Sequence, residues 1–141
     1  MIAISNSSPL IALSRIQNLH ILKTLFGRIF IPDSVHQETV IDTNITIQKE
    51  NILEALDDFI EIVIPSTHHL FKRNLGKGEI GVLNLAIEKK PDILLIDDKK
   101  ARNEAKSLGF KLFFTTDIIK RAESLKLILN SFIRASNATT L

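Results

Sequence analysis

The sequence predicts an α/β protein: a five-stranded parallel sheet sandwiched by helices in three layers. Three observations carry this expectation. Short apolar runs alternate with longer segments whose apolar residues recur at helical spacing. Turn and helix-break signals, among them Pro9, Pro32, Pro65, Pro91 and Gly109, fall between those segments. The run Ile93 to Ile96 is wholly apolar, as strands buried on both faces of a parallel sheet are.

In chain order, Ile2 to Ile4 starts a strand that ends at Ser5-Asn6. Pro9 opens a helical stretch through about Leu25, with Leu10, Leu13 and Ile21 roughly on one face. Arg28 to Ile31 reads as the second strand; Pro32 stops it and fits the first turn of a helix running towards Val40. Ile45 to Leu56 repeats apolar residues as a helix does, and Ile60 to Ile64 alternates as a strand before Pro65. Ser66 to Asn74 reads as a polar loop or a short helical turn. Gly76-Lys77-Gly78 precedes a helix from Glu79 to Lys90, broken by Pro91-Asp92 ahead of the fourth strand, Ile93 to Ile96. Asp98 to Leu108 is a helix ended by Gly109, Lys111 to Phe114 the fifth strand, and Thr116 to about Arg134 one or two closing helices.

A length of 141 residues suits one domain, 1–141, and no internal repeat or low-complexity tract divides it. With 45% hydrophobic and 24% charged residues, the composition excludes a disordered tail, a collagen or a fibrous repeat. The absence of cysteine removes disulfides, zinc-thiolate sites and thiol catalysis, and suits a reducing compartment. No apolar run approaches the ~20 residues of a membrane span. Met1 to Leu13 lacks the basic flank of a signal peptide, so a cytoplasmic protein away from membranes is expected.

The net charge of +2 hides an asymmetry. Residues 1–70 hold 4 Lys/Arg against 8 Asp/Glu, and residues 71–141 hold 14 against 8. A basic half suits a polyanionic partner, although solvated helix faces collect lysines as well.

Ligands of open parallel sheets bind beyond the carboxyl ends of the strands, where the strand order reverses. Asn6 ends the first strand, Glu38 lies in the helix after the second, Glu79 opens the helix after the glycine pair, and Asp97-Asp98 ends the fourth strand. Each has an ordinary use: Asn6 in the turn before Pro9, Glu38 as a solvated helix residue, Glu79 at the positive end of its helix, Asp98 as an N-cap. Together they place like charges beside a buried sheet, where a bound cation relieves the repulsion. Oxygen ligands without His or Cys point to Mg²⁺ or Mn²⁺.

Four stretches resemble the PIN-domain nucleases, in particular the short VapC-like toxins of toxin–antitoxin pairs. They are Ile4-Ser5-Asn6-Ser7-Ser8-Pro9-Leu10-Ile11, Ile31-Pro32-Asp33-Ser34-Val35-His36-Gln37-Glu38, Gly76-Lys77-Gly78-Glu79 on to Leu85-Ala86, and Leu94-Leu95-Ile96-Asp97-Asp98-Lys99-Lys100-Ala101-Arg102. They occur in the family's order and cover roughly residues 1–125, the final helices matching less well. The resemblance implies a metal-dependent endoribonuclease with Mg²⁺ or Mn²⁺ held by Asn6, Glu38, Glu79 and Asp97, with Asp98 beside them. It further implies a homodimer and a small antitoxin protein that lays a peptide across the acidic pocket.

Asn6 departs from the aspartate usual there, and a neutral carbonyl oxygen implies weaker metal binding and lower activity, which Asp98 partly offsets. The alternative reading is a catalytically weak PIN-like protein that binds RNA or a partner. In the hydrolytic reading Asp97 and Glu79 are metal ligands, directly or through water, and Glu38 is a ligand or positions the attacking water. Ser7 or Ser8 is available to hydrogen-bond a ligand or a phosphate oxygen. Lys99 and Arg102, with Lys72-Arg73 and Lys120-Arg121, are candidates to line an RNA path. The phenylalanines, Phe113-Phe114 included, read as core and not as stacking platforms.

Other motifs are discounted. Gly76-Lys77-Gly78-Glu79 lacks the upstream glycine and the following Ser or Thr of a phosphate-binding Walker loop. Ser7 and Ser8 have no nucleophile-elbow glycines. His68-His69 lacks further His or Cys for a metal site. A small-molecule phosphotransfer domain rests on fold analogy alone.

Overall fold

The computed structural model describes residues 1–127 of the chain. Five strands form one parallel sheet in the order β3-β2-β1-β4-β5. They are β1 (Ala3–Ser5), β2 (Ile29–Pro32), β3 (Ile60–Val63), β4 (Ile93–Leu95) and β5 (Leu112–Phe113). The order reverses at β1: the chain moves outward through β2 to β3, then crosses to β4 on the other side. Right-handed crossovers therefore put the helices Ser7–Arg15 and Thr46–Leu56 of the first half and the crossover helices of the second half on opposite faces, while the helix after β5 returns to the first face.

The helices among the described residues are α1 (Ser7–Arg15), α2 (Ile21–Phe26), α3 (Asp33–His36), α4 (Thr46–Leu56), α5 (Lys77–Lys89), α6 (Lys99–Ser107) and α7 (Thr115–Ser124). On one face α1 packs with α4 and α7; on the other α5 lies against β1 and β2, beside α6, while α3 bridges from the end of β2 to α5. Ile4, Ile29, Ile31 and Leu94 of the central strands are fully buried, with Leu10 and Leu13 of α1 on one side and Leu83 and Leu85 of α5 on the other. Each such side chain contributes about 1.5–3 kcal/mol of transfer free energy.

The predicted fold class is the observed one, with differences in the elements. The stretch expected as one helix from Pro9 to Leu25 is two. Gln17 takes a left-handed φ of 56°, and the Asn18 N–H turns back to Leu13 O at 2.9 Å, closing α1 without a glycine. The helix expected towards Val40 stops being α-helical after His36 and continues as a π-turn over Gln37–Ile41. There Thr39 Oγ1 donates to Val35 O at 2.8 Å, a back-bond that competes with the helical ladder. Gly109 follows the last residue of α6 and its cap, at φ 88°, where a Cβ would be strained.

The segment between β3 and α5 has no regular structure and is tied down by side chains. Glu88 accepts from the Ser66 and Thr67 backbones, Asn84 from the His69 N–H, and Glu104 from the Arg73 N–H and guanidinium. Of the closing helical region, Thr115–Ser124 is observed as α7, and the part beyond residue 127 lies outside the described residues.

Candidate active site

Three segments meet at the carboxyl edge of the sheet around Gly78. Asn6 follows β1 and starts α1, Glu38 stands on the π-turn after α3, and Glu79 lies in the first turn of α5. The widened turn at Gln37–Ile41 is a device often found where a helix must re-aim a functional side chain. Glu79 also sits at the positive end of a helix of 13 residues, which favours a carboxylate.

The contacts are short. Ser7 Oγ donates to Glu38 Oε2 at 2.7 Å, and Asn6 Nδ2 donates to Glu79 Oε2 at 3.3 Å. A Cβ at position 78 would lie 3.1 Å from Glu38 Oε2 and 3.2 Å from Asn6 Oδ1, so glycine is the residue that lets α5 approach both. Asn6 Oδ1 is buried and has no hydrogen-bond partner. An orphaned acceptor of this kind is costly unless a cation or donor meets it. A cleft of about 360 Å³ reaches the two glutamates, lined by Ser34, Gln37, Glu38, Asp42 and the Gly76–Glu79 turn, with Asn6 and Ser7 outside its lining. A second hollow, of about 230 Å³ between the α1–α2 turn and the end of α4, contains none of these residues.

Asp97 lies two residues beyond β4, the strand paired with β1, and the Asn6 N–H itself donates to Leu95 O at 2.9 Å. Both Asp97 oxygens are held by Thr115, Oδ1 by its N–H at 2.7 Å and Oδ2 by its hydroxyl at 2.6 Å. A carboxylate has about four lone-pair sites, so two remain for another partner. Asp98 caps α6, its Oδ2 accepting from the Ala101 N–H at 2.9 Å. Among the described residues no three His, Cys, Asp or Glu side chains are grouped as an ion cage. The tight group is two carboxylates, an amide and a hydroxyl, those of Glu38, Glu79, Asn6 and Ser7, and Asp97 is not grouped with them.

Of the other predicted contacts, Ser8 is exposed on the outer side of α1, and Lys99 is exposed at the start of α6. Arg102 is half-buried with its guanidinium over the Phe114 ring. Arg73 is engaged by Glu104 and is not free for a polyanion. Phe113 does pack inward, edge-to-face on Phe26, but Phe114 carries a cation, which corrects its reading as core. Sequence reading misses Thr115 and the clearance role of Gly78. The signal for the first is the Thr115-Thr116 pair directly after a strand end; its partner is visible only once β4 and β5 are in register.

These donors fit a hard divalent cation: they are all oxygen, one is buried and unpartnered, and glycine keeps the space between them open. Fold and cleft thus define an α/β protein with an oxygen-only site at the switch point of a parallel sheet. The DUF3368 model, described as a PIN domain, matches residues 2–137, and the chain belongs to that family, whose members are typically nucleases using divalent metals. A PilT N-terminus domain protein from the hyperthermophilic archaeon Sulfolobus solfataricus P2 is similar in structure, with a TM-score of 0.62 at 19% identity over 86% of this chain and 93% of that one. No curated protein matches the chain. No helix among the described residues is long and apolar enough to cross a membrane.

Proposed function

We propose that the protein is a metal-dependent endoribonuclease of the VapC-like kind, the toxin of a toxin–antitoxin pair acting in the cytoplasm. The observation that supports this reading is the meeting of Asn6 Oδ1 and Glu38 Oε2 over Gly78, with Glu79 tied to the Asn6 amide and Asn6 Oδ1 buried and unpartnered. Glu38, Glu79 and Asp97, with Asn6 Oδ1, would hold Mg²⁺ or Mn²⁺; Asp98, engaged as a cap, stands at the rim. When bound, such an ion supplies Lewis acidity towards a phosphate oxygen and acidifies water.

The chain's own residues do the positioning. Ser7 fixes the Glu38 carboxylate, the Asn6 amide fixes Glu79, and Thr115 holds Asp97 from both sides. Glu38 acts as a ligand or orients the attacking water. In the hydrolysis a P–O ester bond gives way to a bond from the water oxygen; the water's proton leaves through a carboxylate or solvent, and the departing oxygen takes one up. A homodimer and a small antitoxin across the cleft belong to the same reading.

Purified protein incubated with single-stranded RNA and Mn²⁺ is expected to cleave it, and the double variant E79Q/D97N is expected not to. Cleavage that survives both substitutions would remove this cleft from the chemistry. Asn6 supports a second reading, a weakly catalytic PIN-like protein that binds RNA or a partner. In that case Asn6→Asp creates or strongly raises Mn²⁺-dependent cleavage, whereas a wild type already as fast as N6D excludes it.

A further inference from the structure

Arg102, the fourth residue of α6, places its guanidinium carbon 4.3 Å from the centre of the Phe114 ring. Phe114 directly follows β5, so the pair stands at the same carboxyl edge of the sheet as Asn6 and Asp97. In the strand order β1-β4-β5 it is two strand spacings from Asn6, about 10 Å.

Neither neighbouring carboxylate bonds the Arg102 guanidinium: Asp97 is held by Thr115, and Asp98 accepts from the backbone of α6. Among the described residues no side chain pairs with or hydrogen-bonds the Arg102 guanidinium, and its Nε is buried without an acceptor. An arginine serving solubility alone would swing into water and hydrate every N–H. Staying on the ring leaves Nε dry, a loss of the same order as the ring contact returns. The result is a cation of fixed plane, unneutralised, with its terminal N–H groups outside the buried region.

We infer that Arg102, laid flat on Phe114, grips a phosphate of the RNA strand next to the scissile one. This rests on the ribonuclease reading above. A planar fork of N–H donors matches two phosphate oxygens, and the ring fixes the plane that a flexible lysine could not hold. The cleft carboxylates repel an approaching polyanion; a cation two strands away supplies attraction without joining the acidic group. Because that phosphate does not react, its grip tightens substrate and transition state alike, and the effect falls on KM.

The test uses single-stranded RNAs carrying one uncharged methylphosphonate linkage, moved along the strand and assayed with Mn²⁺. Wild type is expected to lose roughly tenfold in kcat/KM at one linkage beside the cut, the size of a charge-assisted contact. On all-phosphate RNA, R102A is expected to raise KM by about the same factor with kcat nearly unchanged, and to be indifferent to that linkage. Its binding without added metal should fall less steeply with salt, the log–log slope shrinking by about 0.7. F114L shows part of the loss and F114Y retains the grip, which separates the role of the ring from a folding defect. R102A that still discriminates against the same methylphosphonate, or that loses kcat at unchanged KM, overturns the inference. Wild type that cuts RNA without linkage preference overturns it and leaves the ribonuclease reading standing; wild type that neither binds nor cuts RNA removes both.

Discussion

Asn6 has two opposed functions in one side chain. Its amide donates to Glu79, as Ser7 does to Glu38, so the Glu79 carboxylate is held without a metal, while its carbonyl oxygen is buried and unpartnered next to Gly78. Asparagine therefore stabilises the metal-free protein at the expense of charge in the site. Replacing it with aspartate removes a donor and sets a third negative charge among Glu38 and Glu79. N6D is expected to lower the metal-free Tm, by about 1–3 kcal/mol of stability, and to regain it with Mn²⁺. A metal-free Tm equal to or above that of wild type would contradict the amide's role. Gly78→Ala sets a Cβ 3.1–3.2 Å from two site oxygens and is expected to weaken Mn²⁺ binding while the fold persists. At this scale the sequence placed Asn6 at a strand end and Glu38 and Glu79 in helices that follow strands, and the structure brings Ser7 to Glu38 and Asn6 to Glu79. Thr115 was not legible, because its partner Asp97 is 18 residues away and meets it only across the β4–β5 pairing.

The elements diverge from their sequence patterns where side chains outcompete backbone periodicity. The α1–α2 break rests on Gln17 in a conformation that glycine or asparagine would have announced. The π-turn that carries Glu38 coincides with the Thr39 back-bond to Val35 O. Thr115 joins two elements: losing its hydroxyl in Thr115→Val leaves Asp97 one hydrogen bond fewer. Metal-dependent turnover is expected to fall roughly tenfold with little change in Tm, as for other residues that orient a ligand. An equal loss in stability and turnover would make Thr115 merely structural.

The strap between β3 and α5 adds a pH dependence. The Arg73 N–H, first, holds the Glu104 carboxyl below the usual glutamate range, with the Ser107 hydroxyl and the Arg73 guanidinium adding to it against the opposing effect of burial. A lowered folded pKa means the stabilisation is complete above the ordinary glutamate range and is lost as pH falls through the lowered value. The Arg73 amide resonance is expected to shift with a midpoint below that range, and the transition to vanish in E104Q. A midpoint at the ordinary glutamate value would show that the contact contributes nothing.

For the molecule as a whole, topology explains why residues so distant in sequence share one hollow. The reversal at β1 opens the sheet edge between the two halves, and α3 and α5 close over it from β2 and from the strap. The acid-rich first half supplies Glu38 to the hollow and the basic second half supplies Glu79, while Asp97 and Arg102 stand at the same edge of the sheet outside its lining. Strand count and sheet type were thus readable from alternation, since those are set by burial. Which oxygens touch was not, because that depends on helix approach distances of a few tenths of an ångström at Gly78.

An anomalous-difference map from crystals soaked in Mn²⁺ addresses the shared hollow directly. A single strong peak bounded by Asn6 Oδ1, Glu38 and Glu79 is expected, with Asp97 at its edge. No peak there, or manganese bound only on other surfaces of the protein, would contradict the metal site and the hydrolytic reading built on it.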